Sequence, residues 1–171
     1  MSALVRRSVV LVTGMSGTGK STALGELARR GHRVVDTDDA GWLTDVPTPD
    51  GPEPMWDLER MRALLDGHHA GWPFVSGCVA NQGAVYDRFD AVVLLSSPVE
   101  VISARVVDRA NPFGSRPEDR AKIASDLASF EPLLRAGADY EIVTTAPVAE
   151  VVAALQRVAA VVDRQGRGPD R

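Results

Sequence analysis

With 171 residues, 44% hydrophobic and 25% charged, the chain suits one compact domain with a sizeable core and leaves little room for a second. A net charge of −4 gives no support for a general attraction to nucleic acid or anionic membrane and points to a small partner. Cys78 is the sole cysteine, which excludes an internal disulfide and a multi-cysteine metal site and fits a reducing cytoplasm.

The first apolar run, SVVLVT at 8–13, is too short for a signal or membrane segment and reads as a buried strand. A helical pattern follows at 21–30, then a strand in RVVD, a helix at 55–66, strands in PFVSG and DAVVLL, helices at 99–109 and 117–136, a strand in YEIVT, and a last amphipathic helix at 147–163. Strands alternating with helices imply a parallel sheet covered on both faces. Gly31, Gly67 and Gly137 stand where helices stop and a left-handed residue is useful. Segments 44–54 and 110–117 lack periodicity and read as mobile loops, and the polar tail 164–171 reads as disordered, leaving 1–163 as the domain. Seventeen of the nineteen basic residues are Arg, a bias spread over the whole chain that still supplies planar forks for phosphate or carboxylate.

One stretch carries specific chemistry. GMSGTGKS, Gly14 to Ser21, satisfies G-x-x-x-x-G-K-[ST] between a strand and a helix, so successive backbone N–H groups and the helix dipole aim at one point that suits a polyphosphate. The phosphate-binding set is Gly14, Met15, Ser16, Gly17, Thr18, Gly19, Lys20, Ser21 and Thr22, with Lys20 bridging β and γ oxygens of ATP and Ser21 ligating Mg²⁺. The N-K-x-D guanine reader of Ras-type GTPases and the L-S-G-G-Q signature of transporter ATPases are both absent, and 171 residues leave too little room for the accessory parts of a motor or ring ATPase. A compact phosphotransferase remains. Asp36, Asp38 and Asp39 end the second strand on the side of the sheet where the P-loop lies, which brings carboxylates near the magnesium; capping of a following helix by Asp38 or Asp39 is the alternative.

GMSGTGKST, GHRVVDTDD, RVVDRANPFGSRPEDR and ADYEIVTTAPVAEVV together resemble the small P-loop kinases, the nucleoside monophosphate, shikimate and gluconate kinase group. That resemblance implies a three-layer α/β fold: a five-stranded parallel sheet of order 2-3-1-4-5, helices on both faces, an acceptor region between strands two and three, and a short lid at about 110–117. It also implies ATP- and Mg²⁺-dependent phosphoryl transfer to a hydroxyl of a small acceptor. Asp36 then acts through Mg²⁺ or as base, Asp38 holds an acceptor hydroxyl, Arg109 stacks on adenine and Arg116 is the lid arginine. Arg60 or Arg62 could grip an anionic acceptor or lie on a solvated helix face. Gly77 and Cys78 end strand three, where shikimate kinases carry a Gly triplet that lets substrate touch backbone; Cys78 is more ordinary as a small buried residue than as a nucleophile.

Arg105 and Arg120 flank the 110–117 loop and either serve the lid or form surface ion pairs with Glu100, Asp108 or Asp119. TTAPV (144–148) matches the adenine-side loop loosely, and Trp42, Trp56 and Trp72 are expected to pack around the acceptor region or, alternatively, to stack on a ring-bearing substrate. His68 and His69 have no third ligand in an obvious motif. The chain also departs from each member of the group. SGCVANQG replaces the D-G-F-P-R of monophosphate kinases, Phe130 stands where shikimate kinases carry an Arg, and CVANQG lacks the basic residues of the gluconate kinase motif. Two other functions fit less well: a non-catalytic regulatory nucleotide-binding domain, which needs no lid, and a polynucleotide 5′-kinase, which needs a basic groove that the acidic balance disfavours.

Overall fold

A computed structural model of the protein describes residues 8–68, 71–108 and 116–165. Its centre is β1 (Val10–Thr13), every residue of which is buried. Four aliphatic or β-branched residues in a row suit a strand covered on both faces. β1 pairs in parallel with β5 (Phe74–Ser76) on one side and β6 (Ala91–Ser96) on the other, with β2 (Val34–Asp36) outside β5 and β7 (Tyr140–Val143) outside β6. The sheet order is therefore β2-β5-β1-β6-β7. Counting the sheet strands alone, this is the expected 2-3-1-4-5.

Alternation along β1 sorts the core into two layers. Val10 and Val12 face α1 (Lys20–Arg29) and α5 (Val148–Gln165), meeting Leu24, Leu27, Val152 and Leu155. Val9 and Leu11 face α2 (Leu58–Asp66) and a 3-10 helix (Gln82–Arg88), meeting Met61, Leu65, Val85 and Phe89. Leu11, Leu27 and Leu155 are completely buried, each contributing about 1.5–3 kcal/mol by removal of apolar surface from water. α3 (Val99–Asp108) buries Ile102 and Val106 beside the P-loop, and α4 (Pro117–Gly137), begun by a proline that needs no N–H partner there, has no buried residue.

The largest departure from expectation lies at 44–54. Instead of a mobile loop, the chain forms an antiparallel hairpin of β3 (Leu43–Thr48) and β4 (Gly51–Trp56), and α2 starts at Leu58 rather than 55. Four prolines in this segment argue against strand, yet Pro47, Pro52 and Pro54 all fall in one phase of the ladder, Pro47 opposite Pro52 and Pro54 opposite Asp45. In that phase backbone N–H groups point away from the partner strand, so a proline costs no ladder bond.

Smaller differences have local reasons. Gly31 is left-handed as expected, at φ +86°, but Gly67 is right-handed at φ −78°. Gly137 remains within α4, and what it provides is room: a Cβ there would come within 2.6 Å of the Tyr86 ring. α5 continues to Gln165, so 164 and 165 are helical rather than part of the tail. His69, Arg109, most of the lid (110–115) and the remaining tail (166–171) lie outside the described residues. Among the described residues no helix is long and apolar enough to cross a membrane.

Candidate active site

β1 ends at Thr13 and α1 begins at Lys20, and the six residues between them fold into a loop that only glycine permits at its hinges. Gly17 and Gly19 have φ of +84° and +94°. Gly14 runs directly beneath the end of β6, where a Cβ would collide with the Leu95 carbonyl and come within 2.8 Å of Thr18 Oγ1. Lys20 curls back over the loop and donates from Nζ to the carbonyls of Gly14 (2.6 Å) and Met15 (3.2 Å), while Thr18 Oγ1 donates to Met15 O at 2.8 Å. These bonds satisfy the loop's carbonyls from inside, the arrangement that leaves backbone N–H groups for an anion.

The end of β2 reaches this loop. Ser21 Oγ donates to Asp36 Oδ2 at 3.2 Å, and Asp36 Oδ1 accepts from the Asp38 N–H at 3.1 Å. Asp38 and Asp39 are exposed and cap no helix, because the next element is the hairpin; Asp57 is the residue that caps α2, through the Arg60 N–H. Thr37, between the acids, is buried. Its Oγ1 donates to Ser76 O at 2.7 Å and accepts from Trp56 Nε1 at 2.9 Å. Trp56 and Thr37 together cover Gly77, where a Cβ would strike Thr37 Oγ1 and approach the Trp56 ring to 2.8 Å. The glycine at 77 is thus required by the indole above it, and the expected substrate contact through its Cα face is closed off. Cys78 beside it is a partly exposed free thiol.

Residues 79–82, where the sequence departs from known patterns, serve as ties. Gln82 is buried. Its Nε2 donates to Thr13 Oγ1 (3.0 Å) and Tyr86 Oη (2.6 Å), and its Oε1 accepts from the Val79 N–H (3.0 Å), which pins the segment after β5 to the entry of the P-loop. Asn81 pairs twice with the Trp56 backbone, accepting from its N–H and donating to its carbonyl, both at 3.0 Å. Trp56 lies in the outward-pointing phase of the hairpin, so the Asn81 amide acts as one further strand position.

On the other flank of the P-loop a cavity of about 340 Å³ is lined by Gly19, Thr22, Arg105, Thr144, Ala146 and Val148, among others. Arg105, expected either to serve the lid or to form a surface ion pair, donates to Thr144 Oγ1 (3.0 Å), Ser97 Oγ (3.3 Å) and Gly17 O (3.3 Å). Thr144 Oγ1 in turn donates to Thr18 O at 2.8 Å, fastening the loop after β7 to the P-loop. TTAPV therefore borders the P-loop cavity.

A family model described as an AAA domain matches residues 10–124. The chain belongs to this family. The match runs from the first residue of β1 into α4. No curated protein matches this AAA domain. Among solved structures, the shikimate kinase from Acinetobacter baumannii in complex with shikimate is 19% identical with a TM-score of 0.59, over 94% of this chain and 96% of that one. The shikimate kinase from Bacteroides thetaiotaomicron is 16% identical with a TM-score of 0.60, over 90% and 98%. At such identities the likeness establishes a shared fold.

The remaining expected residues of the AAA domain are more dispersed. Arg60 stacks over the Trp42 ring, 4.3 Å from its centroid, and donates to the Gly41 carbonyl. Arg116 is exposed at the N-terminus of α4 and makes no side-chain bond to the P-loop among the described residues. Trp72 is stacked on His32 at 5.8 Å and packed against the α1/α5 layer, on the opposite face of the sheet from Trp42 and Trp56. His68 is buried with Nε2 against Gly71 O, and no metal-binding cluster of three His, Cys, Asp or Glu occurs among the described residues.

Proposed function

We propose that the protein is an ATP- and Mg²⁺-dependent phosphotransferase that moves the γ-phosphoryl group to a hydroxyl of a small acceptor. The observation that carries this reading is the pairing of Ser21 Oγ with Asp36 Oδ2 at the mouth of a glycine-hinged P-loop. A non-catalytic nucleotide-binding domain would need the loop but not that carboxylate.

The residues fit the groups the reaction requires. One hydroxyl and one carboxylate are hard oxygen donors, which suit a small cation that takes its other ligands from phosphate and water. When bound, such a cation neutralises charge on the phosphates. Lys20, already over the loop, swings its ammonium to the β and γ oxygens, and the backbone N–H groups of 15–20 hold the β-phosphate. Arg105, Thr144 and Ala146 wall the cavity that takes the adenine, so Arg105 joins Arg109 as a base-side arginine. Arg116 closes from the start of α4 over the transferring phosphoryl group and excludes water. Asp36 orients the acceptor hydroxyl or takes its proton as the new P–O bond forms and the bond to the ADP oxygen breaks. A reducing cytoplasm, which supplies ATP and preserves the Cys78 thiol, suits this chemistry.

Lys20→Ala is expected to lower ATP turnover by about 10²-fold or more, and Asp36→Asn to cut transfer on a similar scale while nucleotide affinity stays near that of the parent. ADP release and equilibrium nucleotide binding, measured on both variants, check this. Unchanged transfer in both would overturn the assignment.

A further inference from the structure

Asp36 stands where a strand ordinarily frays. β2 has three residues, none of them fully buried, and it pairs on one side only, with β5. Its ladder ends at Asp36, opposite Ser76, and the chain leaves at once into the exposed Asp38 and Asp39. Short, half-exposed elements open locally at little cost in free energy, so a carboxylate that must stay against Ser21 needs a further hold. Thr37 supplies it. Its N–H and its hydroxyl both donate to Ser76 O, at 3.0 and 2.7 Å, which carries the β2–β5 bonding one residue past Asp36.

The Thr37 hydroxyl is held in turn. Trp56 Nε1 donates to it at 2.9 Å, and with Trp56 1% and Thr37 0% exposed the bond is shielded from water. Covering Gly77 requires a flat ring but no indole N–H. A buried N–H must find an acceptor, and the one provided here is the side chain of the residue after Asp36. Trp56 is itself fixed at its backbone by Asn81, and Gln82, next in the chain, bonds to Thr13, the residue before Gly14. A chain of contacts thus runs from Asp36 through Thr37, Trp56, Asn81 and Gln82 to the entry of the P-loop, and the bond between Ser21 and Asp36 closes it into a circuit.

We propose that Trp56 is a positioning residue for phosphoryl transfer: through Thr37 it locks the end of β2 so that the Asp36 carboxylate stays beside Ser21. The proposal rests on the phosphotransferase reading above and adds a residue to that same site. It also gives the hairpin a part in the chemistry, since Trp56 is the last residue of β4. Without the indole N–H, the Thr37 hydroxyl loses the partner that aims it, and the end of β2 is free to part from β5. Ser21 and Asp36 then no longer present their oxygens to one cation together. The P-loop keeps its own tie from Gln82 to Thr13, so metal-free ATP still meets the same N–H groups and Lys20.

The test separates positioning from packing. Trp56→Phe keeps a ring over Gly77 and removes the donor, Thr37→Val keeps the branched shape and removes the hydroxyl, Thr37→Ser restores the hydroxyl, and Trp56→Phe is also combined with Asp36→Asn. Equilibrium binding of ATP is measured with and without Mg²⁺, ADP release is followed with water as the acceptor, and the urea midpoint reports folding. Trp56→Phe and Thr37→Val should lower by about tenfold both ADP release at saturating ATP and the gain in ATP affinity that Mg²⁺ brings. Metal-free ATP affinity should stay at the parental value, and Thr37→Ser should match the parent. The double variant should be no slower than Asp36→Asn alone, because both changes remove one function. A lowered urea midpoint with the Mg²⁺ gain intact, or rate losses that multiply in the double variant, would mean packing alone and overturns the proposal. If Trp56→Phe does not fold, the Thr37 variants decide: equal loss in Thr37→Val and Thr37→Ser, or loss in neither, overturns it. A parent protein that binds ATP no better with Mg²⁺ and releases no ADP instead overturns the phosphotransferase reading, and this role with it.

Discussion

Gly77 shows how one position acquires its identity from a neighbour distant in the chain. Thr37 and Trp56 leave no space for a methyl group on its Cα, so Gly77→Ala is expected to destabilise the fold by about 1–3 kcal/mol, read from the urea midpoint. In the sequence the same glycine resembled a backbone contact for substrate, because the indole that fills the space comes from a tryptophan 21 residues earlier. The P-loop was legible for the opposite reason: Gly14, Gly19, Lys20 and Ser21 act within one short loop, and their spacing is their function. Arg105 was not legible, since its partners Ser97 and Thr144 come from the ends of two strands that meet only in the folded sheet. His32 offers a further test at this scale. Burial, and next the charge of Arg30, push its pKa below 6.5, and its Nε2 is 2.8 Å from Gln156 Nε2, which donates to the neutral ring. The unfolded chain takes up a proton near 6.5 that the fold resists. His32 therefore contributes fully above that pH, and the contribution is lost as pH falls from there towards the lower folded value. His32→Phe should flatten the dependence of the urea midpoint on pH between about 8 and about 5.

At the scale of elements, the β3–β4 hairpin is the clearest instance of physics that composition conceals. A proline count reads it as a loop. The alternate placement of Pro47, Pro52 and Pro54 makes it a strand pair, and the turn signal P-D-G at 49–51 was the available clue. Its outer edge at Trp56 is completed by the Asn81 amide rather than by a third strand. Asn81→Ala removes both bonds and should cost about 1–3 kcal/mol, with faster hydrogen exchange at the Trp56 amide, while Asn81→Asp keeps the acceptor and should fall between. At the β7 edge of the five-stranded sheet, Glu141 joins β7 to Ser96 of β6 and to Arg135 of α4. The Arg135 guanidinium first, and the Ser96 hydroxyl second, hold its carboxyl below the usual range. That tie is present above the ordinary carboxylate pKa and is lost as pH falls through the lowered one, which loosens the junction of α4 with β7 in acid.

For the molecule as a whole, alternation of strand and helix gave away the architecture, because burial of every β1 residue requires cover on both faces whatever the details of the connections. The region after β5 stayed obscure because it is made from loops whose residues bond to distant parts of the chain across 20 to 70 positions, as Asn81 does with Trp56 and Gln82 with Thr13. Since the P-loop is tied to both flanks, by Gln82 on one and Thr144 on the other, nucleotide binding should stabilise the whole domain. ATP at 100 times its Kd should add about 2.7 kcal/mol, seen as a raised thermal midpoint that Lys20→Ala abolishes. The way Lys20 folds onto its own loop has a practical result in covalent labelling. The chain has two lysines, and the other, Lys122, is on the exposed α4 with Asp126. An amine-directed reagent thus yields two internal tagged peptides. One records whether the ammonium over Gly14 and Met15 has been claimed by phosphate, and the other supplies the reference rate within the same sample.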